Sequence, residues 1–331
     1  MYPMIFDVAR HKFAEGLFTL LLFAAAAVAV AGFCFSHAPI VEGCSDGAPL
    51  GVLIDNFAAN NRGLALTLVL PMYIAAVLRL SRPTARLGIY ATGTLAAVAL
   101  SSIALFGVML APGYFRLLCV ALLFAEMLGR LVYCFGPNMR AHLLFTSMLS
   151  LGMLPLVDIS LLPIAVVIPL VVIVVRGTLR ESIIAIVGVL LPTFIYCYVM
   201  WLLGGSFTLA GYAIYEALFV SCRVTLANYL AMPRLVFLGV LLFLQLASLL
   251  YYTSERITLT GAARSIWSLL VLLFVVLVVT LLLLPAASPA IIVALALTMS
   301  VMIPLFFLRV GMLLAAVVYL VMAISAVVAL F

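Results

Sequence analysis

The stretch Gly16–Ser36, GLFTLLLFAAAAVAVAGFCFS, carries no charged side chain. A helix needs roughly 20 apolar residues to cross the hydrocarbon core of a bilayer. The residues before it, MYPMIFDVARHKFAE, place Arg10 and Lys12 ahead of the apolar run. A signal peptide has that plan, but its apolar core is only about 7–15 residues long. The expectation is an uncleaved signal-anchor with its N-terminus in the cytoplasm. Met4, Ile5 and Val8, interleaved with Asp7, Arg10 and Lys12, are expected to form a short interfacial helix ahead of it.

The same pattern repeats along the chain. Of 331 residues, 69% are hydrophobic and 8% charged. Soluble domains carry about 25% charged residues. So few charges cannot cover a water-facing surface, and apolar surface must face lipid. Apolar segments fall near 16–36, 63–80, 87–110, 115–136, 141–156, 159–175, 182–203, 234–252, 265–284, 287–308 and 311–331. The expected fold is all-α: one polytopic transmembrane bundle of about eleven spans over residues 1–331, N-terminus in and C-terminus out. The pair 141–175 reads as a helical hairpin turning at Asp158. Pro71, Pro163, Pro169, Pro192 and Pro304 fall inside spans, where proline frees a carbonyl and bends the helix.

Charge distribution sets the orientation. With the N-terminus inside, Arg62, Arg116, Arg223 and Arg234 fall on the outer side, and the other twelve of the sixteen basic residues on the inner side. Cytoplasmic loops are the ones enriched in Lys and Arg. The net charge of +6 is spread singly between apolar runs. That spacing offers no patch for nucleic acid and suits a multi-pass protein of a bacterial inner membrane.

Two outer segments interrupt the minimal loops. His37–Arg62 holds Glu42, Asp46, Asp55 and Arg62, and its second half, Leu50–Ala59, reads as a short amphipathic helix. Gly204–Arg234 holds Tyr212, Tyr215, Glu216, Arg223 and Tyr229, and reads as a loop with an interfacial or re-entrant helix around Tyr212–Tyr229. These segments are either solvated connectors or two halves of an outer-face site, with Asp158 as a third contributor. In the second case Glu42, Asp46 and Asp55 are the candidate catalytic carboxylates. A carboxylate at membrane level takes a proton from an acceptor hydroxyl or holds a divalent metal on a lipid phosphate. Arg62, Arg116, Asp158, Glu216 and Arg223 are the candidate substrate-binding residues, the arginines pairing with phosphate oxygens.

Glu126 and Arg130 stand four apart on one helical face and are expected to form a structural ion pair, with a proton or ion relay as the alternative. No nucleotide loop, CxxC or Cys/His cluster is present, so no cofactor is recognisable and no metal site is expected from the cysteines. Cys34 and Cys44 flank the first loop and read equally as a disulfide or as two thiols.

From AEMLGRLVYCFG (125–136) through NMRAH, LLFTSMLSLGMLP, VVIVVRG and TLRESIIAIVGVLLPTFIYCYVMWLLGG to the closing IPLFFLRVGMLLAAVVYLVMAISAVVAL, the chain resembles an uncharacterised family of polytopic inner-membrane proteins of Bacteroidota. LLFTSMLSLGMLPLVDISLLPIAVVIPLVVIVVRG (143–177) is also similar to the middle spans of GT-C-type membrane glycosyltransferases. That second resemblance implies a polyprenyl-phosphate-linked sugar donor at the outer face and a catalytic acid in the first outer loop, where Glu42, Asp46 and Asp55 lie. A divalent metal belongs to the same reading. Two other roles remain open: a scaffold subunit of a cell-envelope assembly with a membrane-protein partner, or a transporter or lipid flippase.

Overall fold

A computed structural model describes residues 3–37, 48–86, 96–109, 113–134, 141–176, 178–217, 226, 229–255, 259, 261–310 and 312–329. Among them every regular element is helical. In lipid no water satisfies the backbone, so each spanning segment must close its own hydrogen bonds, and the helix does this within one segment.

The elements in order are α1 (Pro3–Ser36), α2 (Pro49–Asn60), α3 (Arg62–Arg86), α4 (Ala96–Met109), α5 (Tyr114–Cys134), α6 (Ala141–Val157), a 3₁₀ turn (Ile159–Leu161), α7 (Leu162–Arg176), α8 (Leu179–Leu202) and α9 (Phe207–Ala217). Then follow α10 (Met232–Glu255), α11 (Gly261–Leu283), α12 (Pro289–Met302), α13 (Pro304–Arg309) and α14 (Met312–Val328). Among the described residues seven stretches of helix are long and apolar enough to cross a membrane, from Thr19–Ser36 in α1 to Pro289–Phe307 across α12 and α13. Four more apolar helices are shorter: Ala97–Met109, Ala141–Val157, Ile159–Val174 and Leu314–Val328. At 1.5 Å per residue their described parts measure about 20–25 Å, against the roughly 30 Å of a hydrocarbon core.

Two readings change in detail. The interfacial helix expected ahead of the first span is continuous with it, because nothing between Pro3 and Ser36 breaks the helix. In the segment 204–234 the described helix runs from Phe207 to Ala217, starting after Gly204, Gly205 and Ser206. Cys34 is a buried free thiol, and Cys44 lies outside the described residues.

α12 sits at the centre. Every residue from Ala290 to Met302 is buried. It is apolar all round, the pattern of a helix with no solvent or lipid face. It packs on α4, α5, α10 and α11. At its end Pro304 has no N–H, so the Ser300 carbonyl loses its ordinary helical donor. The chain tightens there, with Phe306 N–H donating to Ile303 O at 2.9 Å, and restarts as α13. From α10, Ser248 Oγ donates to the Met302 carbonyl at 2.7 Å. Beside it Gln245 Nε2 lies 3.0 Å from Met302 Sδ. Ser248 thus answers a carbonyl that the break disturbs, while Gln245 meets a side-chain sulfur beside it.

The α6–α8 contact depends on glycine. A Cβ on Gly152 would collide with the Val189 carbonyl, and one on Gly188 would stand 2.7 Å from Met148 Cβ. Small residues let membrane helices approach backbone to backbone, where van der Waals packing holds them together. Gly152→Val is therefore expected to destabilise the fold by about 1–3 kcal/mol, because a main-chain carbonyl cannot move aside. Gly239→Ala on α10, where a Cβ meets nothing within 4 Å, is the matched control. Thermal unfolding in detergent micelles checks both: a lowered midpoint for the first, an unchanged or slightly raised one for the second.

Candidate functional site

One end of the bundle is covered by α2, which packs across α5 and α6. Pro49 at its first position suits a helix start, where an N–H has no intrahelical partner anyway. Gly51 provides the close approach: a Cβ there would stand 2.5 Å from Val157 O and 2.8 Å from Arg116 Cζ. The helix lies directly on the Arg116 guanidinium.

Arg116, in the first turn of α5, is 8% exposed. Its Nε donates to the Val157 carbonyl at 3.0 Å. Its Nη1 lies 3.7 Å from Asp55 Oδ2 on α2, and its Nη2 lies 3.5 Å from Asp158 Oδ2. The guanidinium thus sits between two carboxylates and ties α2, α5 and the end of α6 together.

Asp158 is 3% exposed. It stops α6 in an extended conformation and caps the 3₁₀ turn, accepting from Ser160 N–H at 3.1 Å and from Ser160 Oγ at 2.5 Å. Ser288 Oγ donates to the same carboxylate, 2.8 Å from Oδ2. Ser288 is also the N-cap of α12, accepting from Ala290 N–H at 3.2 Å. The two serine hydroxyls are 2.9 Å apart. Asp158 therefore meets two helix N-termini and one arginine, each of which favours negative charge.

The segment carrying α9 reaches the same turn from another side. Ile214 of α9 packs against Ile159 and Ala286. Farther on, Tyr229 is buried, its hydroxyl donates to the Val108 carbonyl, and Arg234 lies over its ring at 5.0 Å. Burial raises the Tyr229 phenol above its ordinary range, with Arg234 pulling the other way. Tyr212 and Tyr215 are exposed on α9, their rings 6.2 Å apart. An amphipathic ring suits a membrane–water boundary.

Of the residues expected at this site, Asp55, Arg116 and Asp158 come together. Arg62 opens α3 and is exposed, as is Glu216 on α9. Glu42, Asp46 and Arg223 lie outside the described residues. Ser160, Ser288 and Gly51 were not anticipated, although Ser288 followed by Pro289 is a helix-start signature. Among the described residues no three His, Cys, Asp or Glu side chains converge as metal ligands. The described carboxylates do not fit a divalent metal: the position between Asp55 and Asp158 is filled by the Arg116 guanidinium.

The other expected pair, Glu126 with Arg130, lies farther along α5. Arg130 Nη2 contacts Glu126 Oε1, and Arg79 of α3 adds its Nε at 3.1 Å from Glu126 Oε2. Arg79 could not be read from the spacing because it comes from another helix.

Arg116→Met leaves two carboxylates without their cation at a buried position. Breaking a buried ion pair on one side costs about 3–5 kcal/mol. The single variant is expected to lose that much stability, and Arg116→Met/Asp158→Asn to regain a large part of it. Denaturant unfolding of the four proteins of the double-mutant cycle checks this.

No known protein family, no curated protein and no solved structure matches the chain.

Proposed function

We propose that this is a multi-pass protein of a bacterial inner membrane, with eleven spans, a cytoplasmic N-terminus and an outer C-terminus, that handles a polyprenyl-phosphate-linked sugar at the α2 end as a GT-C-like enzyme or an inactive relative. The observation behind this reading is the meeting of the two polar segments at one turn. α2 lies over Arg116 and Val157, and α9 packs on Ile159. Asp55 is the accessible member of the cluster, its side chain 26% exposed against 4% for Asp158. A carboxylate at that level, fixed by Arg116, is suited to take the proton of an acceptor hydroxyl as the sugar leaves its phosphate. Asp158 and Arg116 then serve as positioning residues.

A scaffold role in an envelope assembly is the second reading. It is favoured by the saturation of Asp158, which spends its oxygens on Ser160, Ser288 and Arg116. That is the behaviour of a structural clasp, and this reading requires a stable membrane-protein partner. For the transporter or flippase reading, Glu126 is the charge inside a span, and two arginines hold it.

The test is purified protein in nanodiscs with radiolabelled polyprenyl-phosphate-linked sugars. Wild type is expected to bind the donor. If it transfers sugar, Asp55→Asn is expected to slow transfer by about 10²–10⁴-fold, the usual share of general base catalysis, while donor binding and thermal midpoint are retained. Wild type that binds none of a panel of such donors, yet co-purifies stoichiometrically with another membrane protein, would replace the enzyme reading with the scaffold one.

A further inference from the structure

Away from α2, the α3–α5 crossing is closed by Gly129. A Cβ there would stand 2.9 Å from the Arg79 carbonyl, so glycine lets the two backbones meet. That approach brings Arg79 and Arg130 to the two oxygens of one carboxylate, Glu126. The side chains differ in exposure: 17% for Glu126, 48% for Arg79 and 31% for Arg130. The anion is covered and the cations face outward.

Two guanidiniums on one carboxylate leave a formal surplus of +1. Each guanidinium has five N–H donors in a planar fork, and a carboxylate engages only part of such a set. Glu126 fixes the spacing of the two forks without neutralising them. Arg82 and Arg86 follow three and seven positions after Arg79 on the same helix. Arg79 lies near the end of the apolar stretch Arg62–Ser81, beside the outward-facing Leu78. Leu68, about three turns before Arg79 and on the same helical face, is also outward-facing.

We propose that Arg79 and Arg130, bridged by Glu126, bind the phosphodiester headgroup of an anionic phospholipid. The two forks match phosphate oxygens. The exposed apolar surface of α3 on the Arg79 face, running back to Leu68, offers the acyl chains a path that a free phosphate would not use. Basic pockets between spanning helices are where anionic headgroups are held. The site is independent of the sugar-phosphate reading, which concerns the α2 end.

The experiment uses the full chain in neutral detergent, titrated with dioleoyl phosphatidylglycerol, dioleoyl phosphatidylcholine or inorganic phosphate, with thermal midpoint and native mass spectrometry as readouts. Phosphatidylglycerol is expected to raise the midpoint and remain bound in the gas phase, and the other two are not. Arg79→Gln/Arg130→Gln is expected to weaken phosphatidylglycerol binding about 30-fold, on the scale of two basic residues at a membrane surface. Equal effects of phosphatidylcholine would overturn headgroup recognition, and equal effects of inorganic phosphate would make this a free-anion site. Full phosphatidylglycerol binding by the double variant would also sink the proposal. Should the double variant not fold, a photo-crosslinkable phosphatidylglycerol on the wild-type chain decides: labelling of residues 76–86 or 126–134 supports the site, and labelling elsewhere only refutes it.

Discussion

The α2 end of the bundle turns on the position of the Arg116 guanidinium. Four segments meet there: α2 lies across it, α5 begins beside it, α6 ends at the carbonyl it binds, and α12 begins at the serine that shares Asp158. Asp158 at the base of a turn between two apolar helices would be a buried charge, and a buried charge requires a partner. Arg116, 8% exposed, has the same need. Each removes the other's penalty, and the serines and the 3₁₀ turn satisfy the remaining oxygens. Gly51 then lets α2 settle on top without lifting the guanidinium away.

The sequence made the helices easy to read because lipid imposes one rule on every span. A run such as Gly16–Ser36 has no other stable conformation in a bilayer. Leu50–Ala59 was readable as a helix for a related reason: its apolar and polar residues alternate with helical period, and the helix found is Pro49–Asn60. The site was readable only by residue type. Asp55, Arg116 and Asp158 stood out as charges beside apolar runs, but their mutual contact joins positions 55, 116 and 158, a separation that no local pattern encodes. Arg79 on Glu126 was hidden in the same way. Neutral residues were harder still. Gly51, Gly129 and Gly152 act by lacking a side chain, so their role appears only when the facing backbone is known. Ser288 gave a local hint as a cap, but its bond to Asp158 did not.

α5 joins the two charged clusters, and its own polarity accounts for their signs. Near its N-terminus stand Arg116, Asp55 and Asp158, with a formal sum of −1. Toward its C-terminus stand Glu126, Arg79 and Arg130, with a sum of +1. A helix is electropositive at its N-terminus and electronegative at its C-terminus. Each cluster thus carries the sign the nearer end of α5 favours, even though an arginine alone at position 116 would have opposed it. The two aspartates correct that local mismatch. Arg116 and Glu126 are ten positions apart, which is about 15 Å along a helix, and Arg130 adds about 6 Å more. The separation is shorter than the roughly 30 Å hydrocarbon core. Both clusters therefore cannot sit in bulk water on opposite sides of a full-thickness bilayer. The burial of Arg116 shows which one yields: it is sunk beneath α2, where protein groups replace the water. Arg79 and Arg130 keep an outward exposure of 48% and 31%, which the long stem of an arginine on an apolar helix allows. The clasp at one end and the exposed cations at the other follow from the same short distance along α5.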